Sequence, residues 1–205
     1  IRPAKIDGLL NPGDNIVVAG FTEQRGLRPT PVREALILLE REGLVVAEPN
    51  RGSYVRAFTE DDVTALFSMR STIENAAGEA CIASLTEADH TYLDSLIELQ
   101  KKHIAAGNPQ PVRSVDMDFH RFLIEKSQNP LIERFWSELV AQIAALLYMR
   151  AEAMPDYNEY LAVSDHSSIV FAYRQRDLNE LYAANRRING RVAGECREAI
   201  RHLSG

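Results

Sequence analysis

The chain has 205 residues, with 23 Lys+Arg against 29 Asp+Glu and a formal net charge of −6; its 45% hydrophobic and 25% charged residues are globular values that exclude a disordered or fibrous chain. That length suits one large domain or two small ones. No run approaches the roughly 18 apolar residues of a membrane span and no basic-then-apolar leader opens the chain, so the expectation is a cytoplasmic protein with no membrane partner.

Cys81 and Cys196 are the only cysteines, too few for a disulfide framework or a cysteine-ligated zinc site. Residues 1–58 carry a net charge of +1 and the remaining 147 a net charge of −7. An arginine-bearing head on an acidic body permits nucleic-acid binding, without the strongly basic footprint that would establish it.

In chain order, Asn11-Pro12-Gly13-Asp14 reads as a turn. Val32 to Glu42 reads as a helix, with Thr30 as N-cap, Pro31 at its first position and Gly43 as the stop. Residues 44–48 and 53–56 read as short strands joined by a hairpin turn at Pro49-Asn50-Arg51-Gly52. That succession is the layout of a winged helix-turn-helix.

From Thr59 onward every segment reads helical. Capping signals stand at Thr59–Asp62, at Thr86–Asp89 and around Ser164, and Pro109, Pro111, Pro130 and Pro155 punctuate the chain. The expected helices are 60–84, 87–106, 112–127, 130–152, 158–175 and 178–203. The fold class is therefore mainly α: a winged helix-turn-helix over residues 1–58, then an all-α antiparallel helical bundle over residues 59–205.

Several polar residues fall on the apolar stripes of these helices. Asp116 and His120 are i,i+4 neighbours on the stripe of 112–127, and His166 lies on that of 158–175. Asn185 and Asn189 lie on the stripe of 178–203, and Arg70 stands between Leu66 and Ile73. Buried without partners, these groups would cost several kcal/mol. They are tolerable if they meet one another, a metal or an anion. One carboxylate and two imidazoles suit zinc, nickel, manganese or iron better than calcium. The plainer readings are a hydrogen-bonded Asp–His pair, interhelical ties from the asparagines, and an Arg70–Glu74 pair. His90, His103 and His202 read as surface residues, Trp136 and Phe135 as core, and both cysteines as small buried hydrophobes.

The motifs Pro31-Val32-Arg33-Glu34-Ala35-Leu36, Leu39-Glu40-Arg41-Glu42-Gly43-Leu44-Val45 and Pro49-Asn50-Arg51-Gly52-Ser53-Tyr54-Val55 resemble the winged helix-turn-helix of the GntR family. The body resembles the FCD ligand-sensing domain of its FadR-like branch: Asp116-Met117-Asp118-Phe119-His120, Asn129-Pro130-Leu131 and Asp165-His166 follow that domain's pattern. The chain begins inside the first helix the family has, so residues before Ile1 are expected.

The resemblance implies a ligand-responsive transcriptional regulator that works as a homodimer on a palindromic DNA operator, mostly a repressor released by its effector. It implies Arg28, Thr30 and Arg33 near bases and phosphates of the major groove, and Arg51 at the wing tip. It implies a divalent metal (zinc, nickel or manganese) on Asp116, His120 and His166, and a small carboxylate effector beside it meeting Arg70, Asn185 and Asn189.

Two departures stand out. The fourth ligand, a histidine in the family, falls on Ile188-Asn189, and Pro29 replaces an arginine expected to reach a base. Val18-Ala19-Gly20 likewise replaces a more polar helix start, with Arg25 and Arg28 as substitutes for the lost charge. Two rivals remain at this point. One is a metal-dependent enzyme using the open positions of the Asp/His/His site, for which no general base is apparent. The other is an interaction module without specific DNA binding.

Overall fold

The computed structural model describes residues 11–20 and 28–204; Arg25 and the first helix expected at the start of the chain lie outside them. The chain divides into two compact units, Ile1–Glu60 and Asp61–Gly205.

In the first unit the Asn11–Asp14 turn closes through Asp14 N–H to the Asn11 carbonyl at 3.1 Å, with Gly13 at φ +87°. It leads into a two-residue strand β1 (Asn15–Ile16), too short to show a sequence period. Helix α1 runs Pro29–Arg41. Its start corrects the expected cap: Arg28 is the N-cap residue and Thr30 lies inside the first turn. Pro29 opens the helix because its fixed φ and missing N–H cost nothing there.

The end of α1 is as expected. Gly43 at φ +69° donates to the Glu40 carbonyl, and Leu44 donates to that of Leu39, both at 2.9 Å. This pair satisfies carbonyls that the last turn would leave bare. Strands β2 (Val45–Glu48) and β3 (Gly52–Val55) pair antiparallel, Val45 opposite Val55, and β1 joins the free edge of β3. The three-stranded sheet has the order β1-β3-β2. Val32, Leu36 and Leu39 bury one face of α1, while Ile37 and Leu38 stay exposed.

The second unit is helical throughout: α2 (Glu60–Cys81), α3 (Glu87–Ala105), α4 (Pro109–Lys126), α5 (Pro130–Ala153), α6 (Tyr160–Gln175) and α7 (Leu178–Ser204). Thr86 caps α3 reciprocally with Asp89, as expected. Asn129 caps α5 by accepting from Leu131 N–H at 3.0 Å, with Pro130 behind it. Ser164 caps nothing: α6 begins at Tyr160, with Glu159 as its N-cap residue.

Helix α3 packs on α4 and α6, α7 packs on α5 and α6, and α4 packs on α5. Ile73, Ala77, Ile124 and Trp136 form a core cluster, closed by Ile132, Leu139 and Val140. Phe135 corrects the sequence reading, because it is exposed beside the buried Trp136. His90 corrects it in the other direction: it is buried, with Nδ1 unpaired. Both cysteines are free and buried. Helices α2 and α7 approach closely at Gly78, where a Cβ would lie 2.3 Å from Leu181 Cδ2. No helix among the described residues is long and apolar enough to cross a membrane.

Candidate functional site

Helix α4 begins at Pro109, one turn earlier than its stripe suggests, and its 3.6-residue period places Asp116 and His120 on one face. Helix α6 brings His166 to the same point. One ligand atom from each of the three residues lies within 4.8 Å of the others. His166 Nε2 stands 3.3 Å from Asp116 Oδ1, and the two imidazole centroids are 5.2 Å apart. Phe119 stacks on His166 at 4.0 Å and fixes its plane.

The second nitrogen of each ring is occupied. His120 Nδ1 meets Glu74 Oε1 at 2.9 Å, and His166 Nδ1 meets Gln100 Oε1 at 2.9 Å. A ring that donates from Nδ1 presents Nε2 as a lone pair, and a carboxylate or amide behind a histidine sets this orientation in metal sites. Asp116 Oδ2 is buried without a hydrogen-bond partner. Two Nε2 atoms and one carboxylate oxygen are therefore free to take a metal, and the donor set fits a divalent cation of the zinc, nickel or manganese type.

The electrostatics favour the ligating forms. Burial lowers the pKa of His120, and the charge of Arg70 adds to that, so the imidazole stays neutral. Burial opposes ionisation of Asp116, but the contact with His166 outweighs it and holds the carboxyl well below its ordinary range.

Glu74 sits at the centre of the support. It accepts from Arg70 Nε at 2.8 Å, from His120 Nδ1 at 2.9 Å and from Asn189 Nδ2 at 2.9 Å. Arg70 borders the cleft but is neutralised by Glu74, the plainer of its two sequence readings. Asn189 ties α7 to Glu74, and Asn185 ties α7 to Asn75 at 2.8 Å. Neither asparagine lines the cleft; at the position of a fourth ligand Ile188 does.

The cleft opens to solvent, and its enclosed volume is small, about 40 Å³. Sequence reasoning missed Gln100, Arg113, Arg150 and Arg191 on its wall. Two of these carried a signal: Gln100 follows Leu93, Leu96 and Ile97, and Arg150 follows Ile143, Leu146 and Leu147, at helical spacing.

In the first unit Arg28, Thr30 and Arg33 are exposed at and just inside the start of α1. Arg51 sits on the hairpin turn after Asn50, which adopts φ +62°, and pairs with Glu48 at 3.2 Å while its side chain stays 75% exposed.

Residues 4–55 match the bacterial regulatory proteins of the gntR family, and residues 65–190 match the FCD domain. The chain belongs to the GntR family and carries an FCD domain. This GntR regulator is 29% identical over 124 residues to the HTH-type transcriptional regulator YdhC of Bacillus subtilis (strain 168), a match that covers 60% of the chain and 55% of that relative. It is 27% identical over 194 residues to the Uxu operon regulator of Haemophilus influenzae, covering 84% of the chain and 70% of the relative. The solved structure of McbR/YncC from E. coli has the same fold, with a TM-score of 0.77 at 20% identity over 95% of this chain and 92% of that one. These proteins are transcriptional regulators, not enzymes, which removes the enzymatic rival.

Proposed function

We propose that this GntR regulator is a repressor that binds a palindromic operator as a homodimer and is released by a small organic acid, held in the cleft beside a divalent metal on Asp116, His120 and His166. The observation that carries the reading is the convergence of those three side chains, with Glu74 and Gln100 behind the two rings. A bound cation supplies positive charge and open coordination positions to an anionic ligand. Asp116 and the two imidazoles hold it, Glu74 and Gln100 fix the ring orientations, and Phe119 keeps the His166 plane.

In the head, exposed Arg28, Thr30 and Arg33 reach bases and phosphates, and Arg51 reaches the backbone beside them. A two-fold dimer presents two such heads to an inverted repeat. Effector binding is coupled to DNA affinity by on the order of 1–3 kcal/mol.

Selection from a randomised DNA pool at about 0.1 M salt tests the reading. The expected result is enrichment of one inverted repeat. No enrichment by a folded dimer would mean that Pro29 has cost the head its reading function. On the enriched site, Arg33→Ala is expected to weaken binding and reduce the salt slope by about 1 if it contacts phosphate; unchanged affinity removes Arg33 from the interface. His120→Ala is expected to abolish metal retention, and a metal content equal to wild type would sink the three-residue site.

A further inference from the structure

Helix α5 ends at Ala153 and α6 begins at Tyr160, and the irregular segment between them contributes Tyr157 and Glu159 to the wall of the cleft. Every other lining residue belongs to one of the helices α2–α7. Within the segment Pro155, Asp156 and Asn158 are exposed, whereas Tyr157 and Glu159 are half-buried. The wall therefore has one piece that can move without breaking a helix.

Tyr157 is held between guanidiniums of two different helices. Arg150 of α5 lies over its ring at 4.0 Å, and its hydroxyl accepts from Arg191 of α7 at 2.9 Å. Glu159 faces Arg150 more loosely, at 3.8 Å. Both arginines keep partners without the tyrosine: Arg150 donates to Glu195 at 3.0 Å, and Arg191 pairs with Glu195 and Asp165. Withdrawal of Tyr157 strands neither cation, and its hydroxyl passes to water. A contact with that property can be broken and remade, unlike a buried ion pair that loses its sole partner.

The size of the cleft calls for such an opening. About 40 Å³ holds a few water molecules, against about 150 Å³ for a cavity that takes one benzene. His120 and His166 are 4% and 2% exposed and line this same space. A molecule larger than the space does not reach their ring nitrogens in this arrangement.

Resting on the reading of the cleft as a metal and effector site, we infer that residues 155–159 form a lid over it, with Tyr157 as the latch between Arg150 and Arg191. The lid sets how fast the site exchanges its contents, and the three metal ligands set how tightly it holds them.

The test is the release of zinc from the zinc-loaded protein to an excess of the chromophoric chelator pyridylazoresorcinol, followed by stopped-flow absorbance. Zinc affinity is measured by competition on the same samples. Tyr157→Ala is expected to release zinc at least fivefold faster with affinity unchanged within twofold, because entry accelerates in step with exit. Tyr157→Phe keeps the ring on Arg150 and loses the bond from Arg191, so it is expected to fall between the two. Helical circular dichroism establishes that each variant folds, and Tyr157→Phe alone, at least twofold faster than wild type, decides the matter if the alanine variant does not. Release that is accelerated less than these amounts would overturn the lid and leave the metal reading in place. Faster release matched by an equal loss of affinity would do the same, since Tyr157 would then support the site itself. No zinc bound by folded wild type would overturn both.

Discussion

Replacing Glu74 with alanine is expected to destabilise the helical unit by about 3–5 kcal/mol, because it leaves the Arg70 guanidinium buried and uncompensated. Arg70 is only 4% exposed, and Glu74 Oε1 receives its Nε at 2.8 Å. The same substitution strips a partner from His120 and from Asn189. Glu74→Gln keeps the volume but not the charge, so it should recover only part of the loss.

The acid dependence has a definite sign. Burial opposes ionisation of Glu74, but the charge of Arg70 and the hydrogen bonds from His120 and Arg70 outweigh it and hold the carboxyl at about 2 against an ordinary 4.5. A depressed folded pKa means that the unfolded chain takes up the proton first as pH falls. The stabilisation is therefore complete above the ordinary value and is lost between about 4.5 and about 2. Its size is on the order of 3 kcal/mol, in line with the mutational expectation. Urea unfolding of wild type and both variants, followed by helical circular dichroism from neutral pH to the acid limit, checks this. A loss under about 1 kcal/mol, or acid profiles that run parallel in wild type and Glu74→Ala, would remove Glu74 from the centre of the network.

Phe119→Ala should show a loss of similar size by a different route. Phe119 is fully buried, so truncation costs about 3–5 kcal/mol through lost transfer energy and the cavity left behind. The ring also stacks on His166 at 4.0 Å with an interplanar angle of 18° and meets His120 edge-on at 5.4 Å. Removing it frees the His166 plane, and loss of such orienting support lowers metal affinity by about 10–100-fold. Phe119→Leu separates the two effects: it restores most of the buried volume without the stack. Metal affinity that returns in full with leucine would reduce Phe119 to a packing residue.

Much of the site was legible because the helical period exposes a misplaced polar residue. Asp116, His120 and His166 each interrupt an apolar stripe, and each proves to face the same cleft. The period does not say which helices meet. Glu74 stands four residues after Arg70, so their pairing was visible. Its second and third partners come from α4 and α7, at sequence separations no local pattern spans. Gln100 and Arg150 obeyed the same rule, but glutamine and arginine are so common on exposed faces that their place on a stripe drew no attention. In the head the helix, its glycine stop and the hairpin were readable from turn chemistry. The start of α1 was not, because Thr30 and Pro31 imitate a cap that Pro29 pre-empts. His90 hid among charged neighbours, although Leu93, Leu96 and Ile97 carry its face into the core.

The close approach at Gly78 bears on how such a chain tolerates variation. A methyl group there meets the end of the Leu181 side chain, which is fully buried and borders a small void. Every other amino acid is larger than glycine, so drift at this position requires Leu181 to shift or shrink with it. Ala80, two residues on and facing solvent, carries no such restriction. Two faces of one helical turn thus accept change at very different rates, and a smaller residue at 181 is a compensating partner to expect where position 78 has changed.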